Sequence, residues 1–169
     1  VFDFAIKMKL LKHNPMTEII MPKRKKIRTE NYWTVQELQE FLNIVLQEEP
    51  YKHYALFRLL AYSGLRKGEL YALKWADIDF QSEALSISKS LGRLDGQAVE
   101  KGTKNDFSVR KIKLDSETIS ILQEWKSNCQ KEKAQLAVAP LSIEQDFIFT
   151  YCTRTGSIEP LHADYINNV

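Results

Sequence analysis

An arginine set between two largely apolar blocks is the feature that most restricts how this 169-residue chain can fold. Arg66 follows the block 54–61 and precedes the block 70–75. A guanidinium in such surroundings is hard to remove from water without a partner. Glu69 lies three residues later on the same helical face and can orient it. We therefore expect a helix start where a planar fork of donors points outward and fits a phosphate. On spacing alone, a purely structural Arg–Glu pair is about as well supported as a phosphate-binding arginine.

Helical signals surround this point. Thr34 and Glu37 have the spacing of a capping box. The following apolar residues recur at helical intervals up to Pro50 and predict an amphipathic helix: Val35, Leu38, Phe41, Leu42, Val45 and Leu46. Residues 52–62 are apolar on nearly every side, which predicts a central helix ended by Gly64. A short helix from about Arg66 to Lys74 should follow.

Short alternating segments predict a small sheet. Residues 84–88 and 110–114 alternate apolar and polar side chains, as strands with one buried face do. Several glycines between them leave room for a third strand near 97–101, with Lys104 on the turn after it. We therefore predict an α+β fold that is mostly helical, with a small antiparallel three-stranded sheet packed against the helices.

The flanking segments carry weaker signals. Residues 2–12 predict the tail of a helix, stopped by Asn14 and Pro15. After the sheet we expect a helix from Asp115 or Ser116, a short buried strand at 147–149, and another helix start from 161 onward. The inward positions of the helix after residue 115 should be Ile119, Leu122, Trp125 and Cys129.

Basic charge is concentrated in two segments, although the net charge of the whole chain is only +2. Residues 1–28 hold eight Lys or Arg side chains against two acidic ones, and residues 89–113 hold seven against three. The chain after residue 28 is net acidic, with 16 basic and 20 acidic side chains. Local concentration of this kind is typical of a surface that follows phosphates. A solvated linker or a nuclear-localisation patch is an open alternative for the first segment.

Composition narrows the class of protein further. A hydrophobic content of 44% suits a packed core rather than a disordered chain. No apolar run approaches the ~20 residues that a membrane span needs, and the first fifteen residues lack a signal-peptide core. Cys129 and Cys152 have no second thiol or histidine at zinc spacing. We expect a cytoplasmic protein with reduced cysteines, no metal, no cofactor and no membrane partner.

Two sequence blocks carry a resemblance to a known family. S-G-L-R-K-G-E-L-Y-A-L-K-W-A-D-I-D, at 63–79, resembles the first signature block of the tyrosine recombinases, the phage and transposon integrases. G-T-K-N-D-F-S-V-R-K-I-K-L, at 102–114, resembles their second block, T-K-T-x-x-S-x-R-x-I-x-L. The resemblance implies that Arg66 is the first catalytic arginine, Glu69 its supporting acid and Lys104 the catalytic lysine. Without the family pattern, Lys104 would be interpreted as a surface lysine on a polar turn.

The same resemblance implies phosphoryl transfer from DNA to a tyrosine, followed by rejoining. The family also carries an H-x-x-R block, a later His or Trp, and a nucleophilic tyrosine. The histidines of this chain are followed three residues later by Met16, Leu56 and Tyr165, never by arginine. Tyr151 and Tyr165 precede the expected place of that block and are not credible nucleophiles. We therefore expect the N-terminal half of a catalytic domain, inactive by itself.

The implied organisation has three parts and one main partner. Residues 1–14 would be the last helix of a preceding DNA-binding domain, 15–29 a basic linker, and 30–169 the N-terminal part of the integrase catalytic domain. The expected partner is double-stranded DNA at attachment sites, with a tetramer on DNA for the full-length protein and a monomer for this fragment. The residues expected to bind DNA are basic: Lys23, Arg24, Lys25, Lys26, Arg28 and Arg110.

Three other functions are open on the sequence. The chain could belong to a non-catalytic DNA-binding remnant that occupies recombination sites. A type IB topoisomerase shares the chemistry, although the run of matches from Trp75 to Asp79 favours the integrases. A helical protein-interaction domain with an accidental motif is the third, and two motif blocks in the right order argue against it.

Overall fold

The computed structural model describes residues 2–19, 32–94, 97–102, 109–135, 143–162 and 164–169. The chain divides into two compact units, Val1–Trp33 and Thr34–Val169. In the first unit, helix α1 spans Phe2–Lys7 and a 3-10 helix spans Pro15–Glu18. The Asn14 side chain caps the 3-10 helix by accepting a 3.0 Å hydrogen bond from the backbone N–H of Met16. The expected helix 2–12 is therefore shorter than predicted, and Lys9 after it has a positive φ of 59°.

The second unit begins with two helices that the sequence predicted. Helix α2 spans Val35–Glu48 and starts with a complete capping box. Thr34 Oγ accepts from the N–H of Glu37 at 3.2 Å, and Glu37 Oε2 accepts from the N–H of Thr34 at 2.7 Å. Helix α3 spans Tyr51–Ser63 and ends at Gly64, whose φ of 64° is the left-handed conformation that glycine adopts without strain.

Two more α-helices follow in the described part of this unit. Helix α4 spans Lys67–Ala72, which is shorter than the predicted 66–74, and a 3-10 helix follows at Trp75–Asp77. Helix α5 spans Ser116–Gln135 and packs against α3. Within the described residues, no helix is long and apolar enough to cross a membrane.

The strands of the described residues form three small antiparallel sheets. Three strands, in the order β1-β2-β5, form one sheet, with Leu85 between Ile78 and Ile112. The hairpin β3–β4 and the hairpin β6–β7 form the other two. The strands are Ile78–Asp79 (β1), Ala84–Ile87 (β2), Lys89–Leu94 (β3), Gln97–Gly102 (β4), Arg110–Lys113 (β5), Thr150–Cys152 (β6) and Ile158–Pro160 (β7).

The predicted fold class is confirmed, but the composition of the three-stranded sheet differs from the prediction. Segment 97–102 pairs with Lys89–Leu94 instead of joining β2 and β5. Its place is taken by Ile78–Asp79, a strand too short to show an alternating pattern. The strand expected at 147–149 is only an isolated bridge from Phe147 to Lys74, and the last expected helix is a 3-10 helix at Tyr165–Asn168.

The core lies among α3, α4, α5 and the three-stranded sheet. Trp75, Leu85 and Leu122 are at most 1% exposed. The Trp125 indole N–H donates to the carbonyl of Ile148 at 2.8 Å, which ties α5 to the segment before β6. This core fixes the ends of α3 and α4, where the candidate site lies.

A close contact joins α4 to the hairpin β3–β4. A Cβ added at Gly68 would lie 2.6 Å from Ser90 Oγ and 3.0 Å from the carbonyl oxygen of Leu91. Glycine at this position therefore allows the backbone of α4 to approach β3 closely. The contact sets the distance between the start of α4 and the hairpin.

Candidate active site

Arg66 occupies the position before α4, directly after the turn made by Gly64. Leu65, between them, is buried in the core at 6% exposure and anchors the backbone. The Arg66 side chain itself is 76% exposed. The sequence therefore folds into a rigid corner that carries a cation on its outer side.

Glu69 lies under that corner and is almost completely buried, with its side chain 3% exposed. Its Oε2 accepts from the backbone N–H of Arg66 at 2.9 Å, and its Oε1 accepts from Arg66 Nη1 at 3.0 Å. The predicted pairing of Arg66 and Glu69 at a helix start is thus present. This pairing joins the first turn of α4 to the guanidinium of Arg66.

A second arginine binds the same carboxylate. Arg110, the first residue of β5, donates from Nη1 to Glu69 Oε1 at 3.1 Å and from Nη2 to Oε2 at 2.8 Å. Two parallel charge-assisted bonds of this kind fix orientation as well as charge. The site is therefore a set of two arginines around one buried carboxylate.

The two arginines keep Glu69 ionised. Hydrogen bonds from Arg110 are the largest influence and lower the pKa of Glu69 to about 2, although burial opposes the shift. The bonds from Arg66 act in the same direction. The pKa of Arg110 is raised in turn by the carboxylate. Among the described groups of this pairing, two guanidiniums and one carboxylate give a net charge of +1, which favours an anion.

Arg66 is the arginine of this pair whose geometry lets it bind such an anion. Within the described residues, its side chain bonds only to Glu69, through one of its terminal nitrogens. A guanidinium offers five N–H donors in a fixed plane. The exposed remainder of the fork suits two oxygens of a phosphate.

Two of the predicted functional regions lie outside the described residues. They are Lys104 and the basic segment of the linker, with Lys23, Arg24, Lys25, Lys26 and Arg28.

The segments that flank Lys104 are described. β4 ends at Gly102, opposite Lys89, and Ser90 next to Lys89 contacts Gly68 of α4. β5 begins at Arg110, on Glu69. The segment 103–108 therefore follows a hairpin that packs on α4 and precedes a strand whose first residue binds Glu69.

Arg110 was predicted from the sequence only as a DNA-binding residue. Its bidentate pairing with Glu69 was missed, since the two residues are 41 positions apart and nothing local connects them. The register of the sheet, with Arg110 opposite Ile87, determines the pairing. DNA binding by Arg110 stays a prediction.

A cluster of aromatic side chains and histidines surrounds Tyr165. His53 Nδ1 lies 2.9 Å from Glu49 Oε2, and His53 Nε2 lies 2.9 Å from the Tyr165 hydroxyl. Tyr151 and His162 pack around the same tyrosine ring. Among the described residues, no group of three or more His, Cys, Asp or Glu side chains could hold a metal ion.

The fold and this site define a class of protein: a mostly helical α+β domain with an exposed arginine that a buried carboxylate fixes and whose geometry suits an oxyanion such as phosphate. The phage integrase family model matches residues 31–150. The chain therefore belongs to the phage integrase family, the tyrosine recombinases that its two motif blocks resemble.

Individual relatives agree with the family. The chain is 31% identical to the ICEBs1 integrase of Bacillus subtilis (strain 168) over 129 residues, 75% of this chain and 34% of that protein. It is 27% identical to a tyrosine recombinase XerC-like protein of Caldanaerobacter subterraneus over 161 residues, 88% of this chain and 41% of that protein. The chain thus spans well under half the length of these relatives.

Solved structures share the fold. The Tn1549 transposon integrase in complex with circular intermediate DNA aligns with a TM-score of 0.69 at 23% identity, over 96% of this chain and 51% of the other. The XerA recombinase aligns with a TM-score of 0.53 at 18% identity, over 88% and 42%. These similarities confirm the predicted fold class, a mostly helical α+β fold with small antiparallel sheets like that of recombinase catalytic domains.

Proposed function

We propose that this chain is the N-terminal part of the catalytic domain of a site-specific DNA recombinase, which cleaves and rejoins DNA by phosphoryl transfer through a tyrosine located after Val169. The observation that carries the proposal is the exposed guanidinium of Arg66, held by the buried carboxylate of Glu69. Membership of the phage integrase family supports the assignment of this site to a DNA phosphodiester.

In the proposed reaction, a tyrosine oxygen attacks the phosphorus and the 5′-oxygen of the next nucleotide leaves. Negative charge accumulates on the non-bridging oxygens in the transition state. A preformed cationic fork stabilises that state more than the ground state, because its donors are already oriented. Arg66 fulfils this requirement, since the bonds to Glu69 fix the guanidinium before DNA arrives.

Lys104 is proposed to donate the proton to the leaving 5′-oxygen, which would otherwise depart as a poor alkoxide. Chain length supports the assignment. Lys104 is two residues from Gly102, the end of β4, and two residues of chain span at most about 7 Å. The other end of the segment 103–108 leads to Arg110 on Glu69. In the sequence, Lys104 thus lies between the hairpin that packs on α4 and the strand that pairs with Glu69.

Double-stranded DNA is the proposed partner, bound at attachment sites by a tetramer of the full-length protein, in the cytoplasm. Residues 1–14 are proposed to end a preceding DNA-binding domain, and 15–29 to form a linker whose basic side chains contact phosphates. The Tn1549 integrase structures, which contain DNA, support this partner. The chain by itself should bind duplex DNA weakly and with little sequence preference.

The test is the formation of a covalent protein–DNA product. Full-length protein that continues past Val169 should yield a labelled band with attachment-site DNA on a denaturing gel, and the 169-residue chain alone should not. Arg66→Ala should slow product formation by about 10²–10³-fold, as removal of one transition-state donor does. Arg154→Ala, which removes an exposed arginine on the turn between β6 and β7, is the matched control and should be near wild type.

Two results would redirect the proposal. If the full-length protein binds attachment sites but gives no covalent band, the chain belongs to a non-catalytic remnant that occupies those sites. If the full-length protein relaxes supercoiled DNA but never exchanges strands between two sites, it is a type IB topoisomerase-like enzyme. A covalent band from the 169-residue chain itself would show that its own tyrosines can act as nucleophiles.

A further inference from the structure

The buried carboxylate at the centre of the site is fixed mainly by Arg110. Both oxygens of Glu69 accept from this one guanidinium, at 3.1 and 2.8 Å. Arg66 bonds to the same two oxygens, but one of its two bonds comes from its backbone N–H. Within the described part of the chain, a single side-chain bond, from Nη1 to Oε1, thus links the exposed Arg66 fork to the protein.

Arg110 is better anchored than Arg66. Its backbone belongs to β5 and pairs with Ile87 of β2, which is 1% exposed. Its side chain is 31% exposed, against 76% for Arg66. The sheet therefore orients Arg110, Arg110 orients the Glu69 carboxylate, and the carboxylate orients the exposed guanidinium of Arg66.

We propose that Arg110 is a positioning residue for the Arg66 site: it orients the Glu69 carboxylate, and through it the phosphate-binding fork of Arg66. This role rests on the proposed function of Arg66 and is separate from the DNA binding expected for Arg110 from the sequence. The same pairing fixes Arg110, the first residue of the strand that follows the segment 103–108, on the carboxylate.

A substrate with a neutral linkage separates positioning from other roles. In a methylphosphonate, a methyl group replaces one non-bridging oxygen, so the linkage has no formal charge and needs less cationic stabilisation. The defect of Arg66→Ala should therefore shrink on this substrate. If Arg110 acts only through Arg66, its variants should show the same recovery. A structural defect, or removal of a DNA-binding side chain remote from the scissile phosphate, would slow both substrates equally.

The experiment measures single-turnover cleavage by full-length protein on matched phosphodiester and methylphosphonate sites. Arg110→Ala should slow phosphodiester cleavage by about 10–100-fold, the range for a residue that orients a functional group without touching the substrate. The defect should mostly disappear on the methylphosphonate. Combining Arg110→Ala with Arg66→Ala should be hardly slower than Arg66→Ala alone, because coupled residues are not additive.

Two further variants control for misfolding and for the loss of a positive charge. Arg110→Lys keeps the positive charge but loses the bidentate geometry, so it should also be slow and should also recover, even if Arg110→Ala does not fold. Lys111→Ala removes an exposed positive charge from the next position of β5 and should be near wild type on both substrates.

The outcomes are distinct. Equal defects of the Arg110 variants on both linkages, or a wild-type rate for Arg110→Lys on the phosphodiester, would overturn the positioning role while leaving the recombinase proposal intact. If wild-type protein cleaves neither linkage, the proposed function fails and the positioning role fails with it.

Discussion

Replacing Glu69 with glutamine removes the negative charge between Arg66 and Arg110 while nearly preserving the shape of the side chain. Hydrogen bonds from Arg110 lower the pKa of this carboxyl from 4.5 to about 2, against the effect of burial. One pKa unit of difference between folded and unfolded states corresponds to about 1.4 kcal/mol. Ionised Glu69 therefore contributes about 3 kcal/mol to the free energy of unfolding at neutral pH.

The sign of the pH dependence follows from the direction of the shift. A pKa that is lowered in the folded state gives a contribution that is fully present above the unfolded value of 4.5 and is lost as the pH falls towards 2. At pH 3, only about 1 kcal/mol of it is left. Glutamine does not titrate, so the stability difference between wild type and Glu69→Gln should shrink by about 2 kcal/mol between pH 7 and pH 3.

Urea unfolding, followed by tryptophan fluorescence at several pH values from 7 to 3, measures this difference in the 169-residue chain. All other titrating groups are common to both proteins and largely cancel. Glu144→Gln is the matched control, because Glu144 pairs with Lys126 at the surface and is 50% exposed. Its stability difference should stay small, within about 1 kcal/mol, at every pH. A wild-type advantage over Glu69→Gln that does not change with pH would refute the ionised, doubly paired Glu69.

Two further predictions concern the hairpin contact and the linker. Gly68→Ala should destabilise the domain by about 1–3 kcal/mol through overpacking against Ser90 and Leu91; thermal unfolding measures it, and the additional change Ser90→Ala should recover part of the loss. An unchanged melting temperature in Gly68→Ala would contradict the close approach of α4 to β3. Neutralising the four basic residues 23–26 in the 169-residue chain should flatten the dependence of log DNA affinity on log salt, by about 0.9 for each phosphate that the variant no longer binds. An unchanged slope would place the DNA-binding surface elsewhere.

The helices could be predicted because their signals are local. The capping box of Thr34 and Glu37, the apolar stripe after it and the left-handed Gly64 lie within a few residues of the elements that they define. The sheet was harder to predict, since β1 has only two residues and its pairing with β2 follows from tertiary packing. The separate hairpin β3–β4 likewise reflects contact of β3 with α4, which no local pattern encodes.

The candidate site likewise has one part that could be predicted from the sequence and one part that could not. Arg66 and Glu69 are three residues apart, so helical geometry alone brings them together. Arg110 reaches the same carboxylate across 41 residues, through the register of β2 and β5, and its pairing could not be derived from spacing. The two motif blocks place both segments in one catalytic domain, but the motifs do not say which side chain holds which.

The division of labour between Arg66 and Lys104 is the central claim, and a sulfur-substituted DNA tests it most directly. On ordinary DNA, full-length Arg66→Ala and Lys104→Ala should each cleave about 10²–10³-fold more slowly than wild type, about 3–4 kcal/mol of barrier. Sulfur in place of the 5′-bridging oxygen gives a thiolate that leaves without a proton. Lys104→Ala should then regain most of its lost rate, whereas Arg66→Ala should stay slow. Equal defects of the two variants on the sulfur substrate would contradict the account, because Lys104 would then be only another phosphate-positioning cation.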